Sequence, residues 1–147
     1  MSLAGALAAL LVLPALTSAA EIPAPVWTTD WTQAQALALK EKKPVLLYFR
    51  ADWCAACATV EKTVVLTPQF RSIAARTVLL RADVDTAEGS RLQNERRARY
   101  IPTMVVVEAD GRELGRTTGP LVGPVMLAKL ETFLARRDKR PAAQEPK

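Results

Sequence analysis

The chain contains no histidine. That absence removes Ser-His and Cys-His catalytic arrangements and every zinc or copper site that needs an imidazole. Cysteine is nearly as scarce, with two residues in 147, Cys54 and Cys57. A disulfide-rich scaffold is therefore excluded, and so is a four-thiolate metal site. Aromatic residues make up 5 % of the chain, and the basic residues are scattered rather than interleaved with them. Nucleic acid is for that reason not expected as a partner, despite a net charge of +5. There is no internal repeat and no sign of a second domain, and the length suits one domain with a real core.

One segment lacks charged side chains altogether. Residues 1–20, "MSLAGALAALLVLPALTSAA", read as an export signal with Leu3 to Leu16 as its apolar stretch. Ser18 and Ala20 supply small residues at −3 and −1 of a cleavage before Glu21. No Lys or Arg follows Met1, and the uncharged stretch reaches the lower limit of a membrane span, so an uncleaved anchor is the second reading. Either way, the domain at 21–137 is expected in an extracytoplasmic space that permits disulfides. Residues 138–147 read as a basic, disordered tail.

What remains patterns as α/β. Asp30 or Thr29 caps a helix running to about Lys42, ended by Lys43-Pro44. "VLLYF", 45–49, is a continuous apolar run, as expected of a strand covered on both faces. The cysteines follow at once and open a helix to about Val65. Thr67 caps the next helix with Pro68 at its first position. "TVLLRADV", 77–84, is a second strand, and Thr86 caps a helix expected to reach about Arg99. "TMVVV", 103–107, is a third strand, and "DG", 110–111, turns a hairpin into "RELGRTT" at the edge. A closing helix starts near Leu121, patterned by Val122, Met126, Leu130, Phe133 and Leu134, and a short strand is expected at Val26–Thr28. Strands separated by helices predict parallel pairing with right-handed crossovers, and the last hairpin adds an antiparallel edge. Met104 and Met126 are expected in the core, and Arg96, Arg97 and Arg99 as cations at a solvated helix end.

The chemistry concentrates in "ADWCAACATVEK", 51–62. Cys54 follows a buried strand and opens a helix, whose unpaired N–H groups and partial positive charge favour a thiolate. Cys57 lies one turn on, so the two sulfurs share a face within bonding reach. Cys54 would attack a substrate disulfide, and Cys57 would resolve the mixed disulfide. As a mere staple, a four-residue loop contributes roughly 2 kcal/mol, the low end for such bridges. As a metal clip, two thiolates are half of a tetrahedral set, although Cu(I) on two sulfurs stays open.

"KPVLLYFRADWCAAC", then "RYIPT", then "VEADGRELGRTTG" resemble the thioredoxin superfamily. Within it they are most similar to the C-terminal periplasmic domain of DsbD-type thiol:disulfide interchange proteins. The resemblance covers about residues 26–135 and implies a thioredoxin fold: a central mixed sheet, parallel strands plus an antiparallel C-terminal hairpin, flanked by helices. It implies a cis peptide at Ile101–Pro102 beside the cysteines, with the backbone before Pro102 pairing with substrate as an added strand. An ordinary strand-start proline is the blander reading of Pro102. Trp53 is expected at the rim of the site, contacting partners, rather than in the core.

Two departures matter. Relatives keep a buried Asp six residues before the first cysteine, where this chain has Tyr48, which cannot trade protons easily near neutrality. Glu61, on the face of the helix shared with both cysteines, is the alternative group for moving the Cys57 proton, with Tyr48 orienting it; a solvated surface Glu is the competing reading. Strong oxidants of the superfamily place a His between the cysteines, whereas Ala55 and Ala56 offer neither charge nor donor. The nearest cation is Arg50, opposed by Asp52. A reducing to intermediate potential is expected. The stretch from Cys54 to Pro102 also lacks room for the large helical insertion of the oxidase branch.

The expectation is an exported, periplasmic protein-disulfide reductase with no dissociable cofactor and no metal. A membrane electron donor of the interchange type would re-reduce it. Its clients would be disulfide-bearing exported proteins, apocytochromes with C-x-x-C-H sites among them. An oxidase or isomerase is the alternative within the same chemistry, and a binding module or Cu(I) carrier the alternative outside it.

Overall fold

A computed structural model describes residues 24–120 and 123–139. The export segment at 1–20 and most of the tail at 138–147 lie outside the described residues, and so does Leu121, where the last helix was expected to begin. Among the described residues no helix is long and apolar enough to cross a membrane.

Helix α1 (Trp31–Glu41) starts where Asp30 accepts a hydrogen bond from the Gln33 N–H, and stops at Lys42, which turns left-handed with φ 54°. Strand β1 (Trp27–Thr28) precedes it, and β2 (Val45–Arg50) follows. Next come α2 (Ala55–Val60), α3 (Pro68–Ala75) capped by Thr67, β3 (Val78–Asp83), and α4 (Ala87–Glu95) capped by Thr86. Strands β4 (Thr103–Val107) and β5 (Glu113–Thr118) form the hairpin, with Gly111 at φ 86° in its turn, and α5 (Gly123–Asp138) closes the chain.

The five strands form one sheet in the order β1-β3-β2-β4-β5. Its alternating side chains build two cores. Leu46, Tyr48 and Met104 pack with Phe70, Ile73, Met126, Leu130 and Leu134 on one face. Leu47, Phe49 and Val105 pack with Ala34, Ala38 and Leu92 on the other. That double burial is why β2 reads as an unbroken apolar run.

Three expectations change. First, β4 is not parallel to its neighbours. It pairs antiparallel with β2, Phe49 facing Thr103, while β2 and β3 are parallel. The chain after α4 therefore enters β4 at the end where β2 and β3 finish, which sets Pro102 beside the cysteines. Second, α4 stops at Glu95 rather than near Arg99. Arg97 takes a left-handed φ of 52°, and Ala98 turns into the core, its N–H bonded to the Gln93 carbonyl. Third, the cysteine helix does not stay α-helical to Val65. From Glu61 to Val65 it widens into a π turn, with the Leu66 N–H reaching the Glu61 carbonyl at 3.0 Å. Such turns recur at functional sites. Here the start of α5 presses against it, since a Cβ on Gly123 would lie 2.5 Å from the Thr63 carbonyl oxygen.

Candidate active site

The site forms where β2 ends. Ala51 leaves the strand buried, Asp52 and Trp53 turn outward, and Cys54 becomes the residue that caps α2. The Cys54 sulfur accepts a hydrogen bond from the Cys57 backbone N–H at 3.1 Å. A sulfur so placed meets a donor at the positive end of a helix, the environment that favours a thiolate once the pair is reduced. The two cysteines are joined as a disulfide with Cα atoms 5.2 Å apart. They are not equivalent, because Cys54 retains 7 % exposure and Cys57 none. Ala51, Ala56, Val84 and Ile101 enclose them in apolar surroundings.

Ile101 reaches the pair from the loop before β4, and its peptide bond to Pro102 is cis. Pro102 is buried, and its carbonyl accepts from the Gly119 N–H at 2.8 Å. Among the described residues, Ile101 makes no backbone-to-backbone hydrogen bond, so its N–H and C=O remain available. Trp53 is 70 % exposed, at the rim. Its indole N–H donates to Asp85 at 2.8 Å, which holds the ring against the turn after β3. Tyr100, equally exposed, directly precedes Ile101.

Beneath the cysteine helix lies Tyr48, fully buried. Its hydroxyl donates to the Cys57 carbonyl at 3.2 Å. Burial, reinforced by the charge of Glu61, pushes its phenol pKa up to about 12. Tyr48 is thus a neutral brace for the helix across the working pH range and not a proton carrier. It does not orient Glu61, contrary to expectation, because its one donor is spent on Cys57.

Glu61 is not a freely solvated residue. Its carboxylate lies 3.1 Å from Arg50 Nε and 3.8 Å from Arg81. Arg50 Nε and Glu61 Oε1 are both buried and make no well-aligned hydrogen bond, so their contact is an ion pair. Arg50 also meets Asp52 at 2.6 Å and Asp83 at 3.6 Å. Arg50 is accordingly surrounded by three carboxylates rather than opposed by Asp52 alone. Asp83, Asp85, Arg81 and Tyr100 were not singled out from the sequence. The parallel register that sets Arg50 opposite Asp83 and Tyr48 opposite Arg81 brings the β3 residues in. Among the described residues, no group of three or more carboxylate or thiol side chains converges as a metal site.

The stretch that holds these residues is similar to known proteins. The thioredoxin-like family model matches residues 26–109. The thiol:disulfide interchange protein DsbD of Yersinia enterocolitica is 41 % identical over 95 residues, 61 % of this chain and 16 % of that protein. DsbD of Citrobacter koseri is 34 % identical over 121 residues, 80 % of this chain and 20 % of that protein. The chain thus spans about a sixth to a fifth of the length of these curated relatives. Among solved structures, a Thermus thermophilus thioredoxin superposes with TM-score 0.68 at 26 % identity, covering 78 % of this chain and 90 % of that one. The oxidised C-terminal domain of Neisseria meningitidis DsbD superposes with TM-score 0.60 at 25 % identity, covering 74 % and 99 %.

Proposed function

The chain belongs to the thioredoxin-like family, as a DsbD-like member with a Cys54–Cys57 disulfide, and from that membership we propose that it is an exported thiol:disulfide oxidoreductase working as a reductase. The observation that carries the reading is the asymmetry of the pair. Cys54 keeps an exposed edge at the helix start, with a backbone donor on its sulfur, while Cys57 is fully enclosed one turn behind. One sulfur is placed to meet a substrate and the other only to meet its neighbour.

In the reduced protein, the Cys54 thiolate attacks one sulfur of a client disulfide. A mixed disulfide forms, and the client's other sulfur leaves as thiolate and takes up a proton. Cys57, deprotonated, then attacks Cys54. The Cys54–Cys57 bond closes, and the second client sulfur departs as thiolate and is protonated. Two electrons and two protons pass from the protein dithiol to the client disulfide. Glu61 takes the Cys57 proton, directly or through one water. Ile101, through its unpaired backbone groups, and Pro102, which has no N–H, receive the client segment as an added strand, with Trp53 alongside.

Two features support the reducing direction. Ala55 and Ala56 place no charge between the sulfurs, and Arg50, the cation closest to them in sequence, is matched by three carboxylates. A reduced form whose thiolate receives little stabilisation gives up its electrons readily. The implied circuit has a membrane electron donor of the interchange type upstream and oxidised cysteines of exported proteins, apocytochromes included, downstream. No dissociable cofactor enters this scheme. Residues 1–20 are taken as the export signal or an anchor, placing the domain at 21–137 in the periplasm.

Insulin reduction by the dithiothreitol-primed protein, with Cys54→Ser as control, tests turnover. Glutathione equilibration tests direction. Absence of insulin reduction by the wild type would sink the oxidoreductase reading, and a potential near that of strong oxidants would replace reductase by oxidase.

A further inference from the structure

Arg50 is the one side chain at this site that contacts acids from three separate elements. Asp52 comes from the turn before the cysteines at 2.6 Å, Glu61 from the cysteine helix at 3.1 Å, and Asp83 from the end of β3 at 3.6 Å. The Arg50 side chain is only 15 % exposed. It lies on the same sheet face as Tyr48, two residues back, whose hydroxyl touches the Cys57 carbonyl. The cluster is therefore directly under the helix that carries both sulfurs. Arg81 adds a second, longer contact to Glu61 at 3.8 Å.

The charges do not balance. Asp52, Glu61 and Asp83 bring three negative charges, and Arg50 and Arg81 bring two positive ones. Glu61 and Asp83, 30 % and 28 % exposed, are less screened by solvent than Asp52, which is 88 % exposed, so the charges of Glu61 and Asp83 act most on neighbouring groups. Few other charges face the cysteines. Asp85 is held on the Trp53 indole, and Arg99 is exposed in the loop before Ile101.

We propose that Arg50 is a positioning residue of the redox site: it holds Glu61 and Asp83 against the underside of the cysteine helix, ties the outward-facing Asp52 to them, and screens these acids from the Cys54 sulfur. This rests on the reading of Cys54 as the attacking thiol. Without Arg50 the acids keep Arg81 as their one cation in the cluster, and the net charge falls by one unit, from −1 to −2. The Cys54 thiolate then forms against a stronger negative field and at higher pH.

The test is alkylation of the reduced full chain by iodoacetamide across pH, which reads the thiolate of the accessible sulfur, Cys54. One unit of charge at about 10 Å in a partly buried setting changes the thiolate fraction near neutrality about tenfold. Arg50→Gln is expected to slow alkylation at pH 7 by about that factor and to move the midpoint upward. Glu61→Gln is expected to move it downward, Arg50→Lys to stay near wild type, and the Arg50→Gln/Glu61→Gln double variant to return toward wild type. An Arg50→Gln midpoint equal to wild type would overturn the proposal. So would a shift that Glu61→Gln fails to reverse, because a distorted helix would not respond to removal of a carboxylate. If Arg50→Gln does not fold, Glu61→Gln decides, and an unmoved midpoint there overturns the proposal. Alkylation needs no client, so inactivity in insulin reduction with shifted midpoints would count against the proposed function alone.

Discussion

Replacing Tyr48 by Phe keeps the ring that packs 6.0 Å from the Trp27 ring and deletes one oxygen. The lost bond is the one from the Tyr48 hydroxyl to the Cys57 carbonyl. That carbonyl also accepts the Glu61 backbone N–H, so it is not left without a partner. The cost at pH 7 is then that of a net hydrogen bond, about 1 kcal/mol, rather than the larger penalty of an orphaned buried acceptor. The pH dependence provides the sharper test. The folded-state phenol titrates at about 12, against about 10 in an unfolded chain. Between these values the unfolded state loses the proton first, so the unfolded form binds fewer protons and stability falls as pH rises. The contribution is fully present below pH 10 and declines toward pH 12, by at most about 1.4 kcal/mol per pH unit. At pH 11 the loss in the wild type is about 1.4 kcal/mol, which exceeds the hydrogen bond. Wild type should therefore be the more stable protein at pH 7, and Tyr48→Phe should overtake it between about pH 10.5 and 11. Urea unfolding of both proteins with the disulfide intact, from pH 7 to 11, measures this. Parallel stability curves with no crossing would refute the placement of a neutral, buried phenol under the cysteine helix.

Other substitutions probe separate parts of the argument. Gly89→Ala should destabilise by about 2 kcal/mol or more despite the usual helical advantage of Ala, because the new Cβ would run into the Asp83 carbonyl, a backbone atom that cannot swing away; thermal unfolding reads it. Cys57→Ala should accumulate mixed disulfides at Cys54 in exporting cells, visible on non-reducing gels, whereas Cys54→Ser should accumulate none. Ala56→His should make the pair more oxidising by about 30 mV, a tenfold change in the glutathione equilibrium, by placing a donor beside the thiolate.

Local chemistry was legible along the chain. Asp30, Thr67 and Thr86 cap helices because each side chain accepts an N–H three residues ahead. The unbroken apolar run of β2 announced a central strand, and the cysteines after it announced the site. What the pattern did not contain are contacts set by register between distant segments. Trp53 meets Asp85 across 32 positions, and Arg50 meets Asp83 because β2 and β3 run parallel side by side. The direction of β4 escaped for a similar reason. A short helix followed by a left-handed turn at Arg97 returns the chain to the end of the sheet where β2 and β3 finish, and strand-helix-strand spacing alone does not reveal that. The π turn at Glu61 depends on the approach of α5 to Thr63, again a tertiary matter.

The placement of charge follows from one replacement. A carboxylate at position 48 would sit fully buried beside the Cys57 helix and would have to trade its proton with a sulfur. Tyr48 fills that volume with a neutral group whose hydroxyl supports the helix backbone instead. The acids of the site then lie two residues further along the same sheet face and one turn further along the helix, where Arg50 and Arg81 offset most of their charge. Moving negative charge from the contact layer to a layer paired with arginines weakens its pull on any single proton and leaves no unmatched cation under the sulfurs. The proposed reductase reading expects such an arrangement, because a dithiol whose thiolate gains little stabilisation is the better electron donor. The Tyr48 brace and the Arg50 cluster are thus two halves of one arrangement, and the alkaline crossing of Tyr48→Phe tests the first half without disturbing the second.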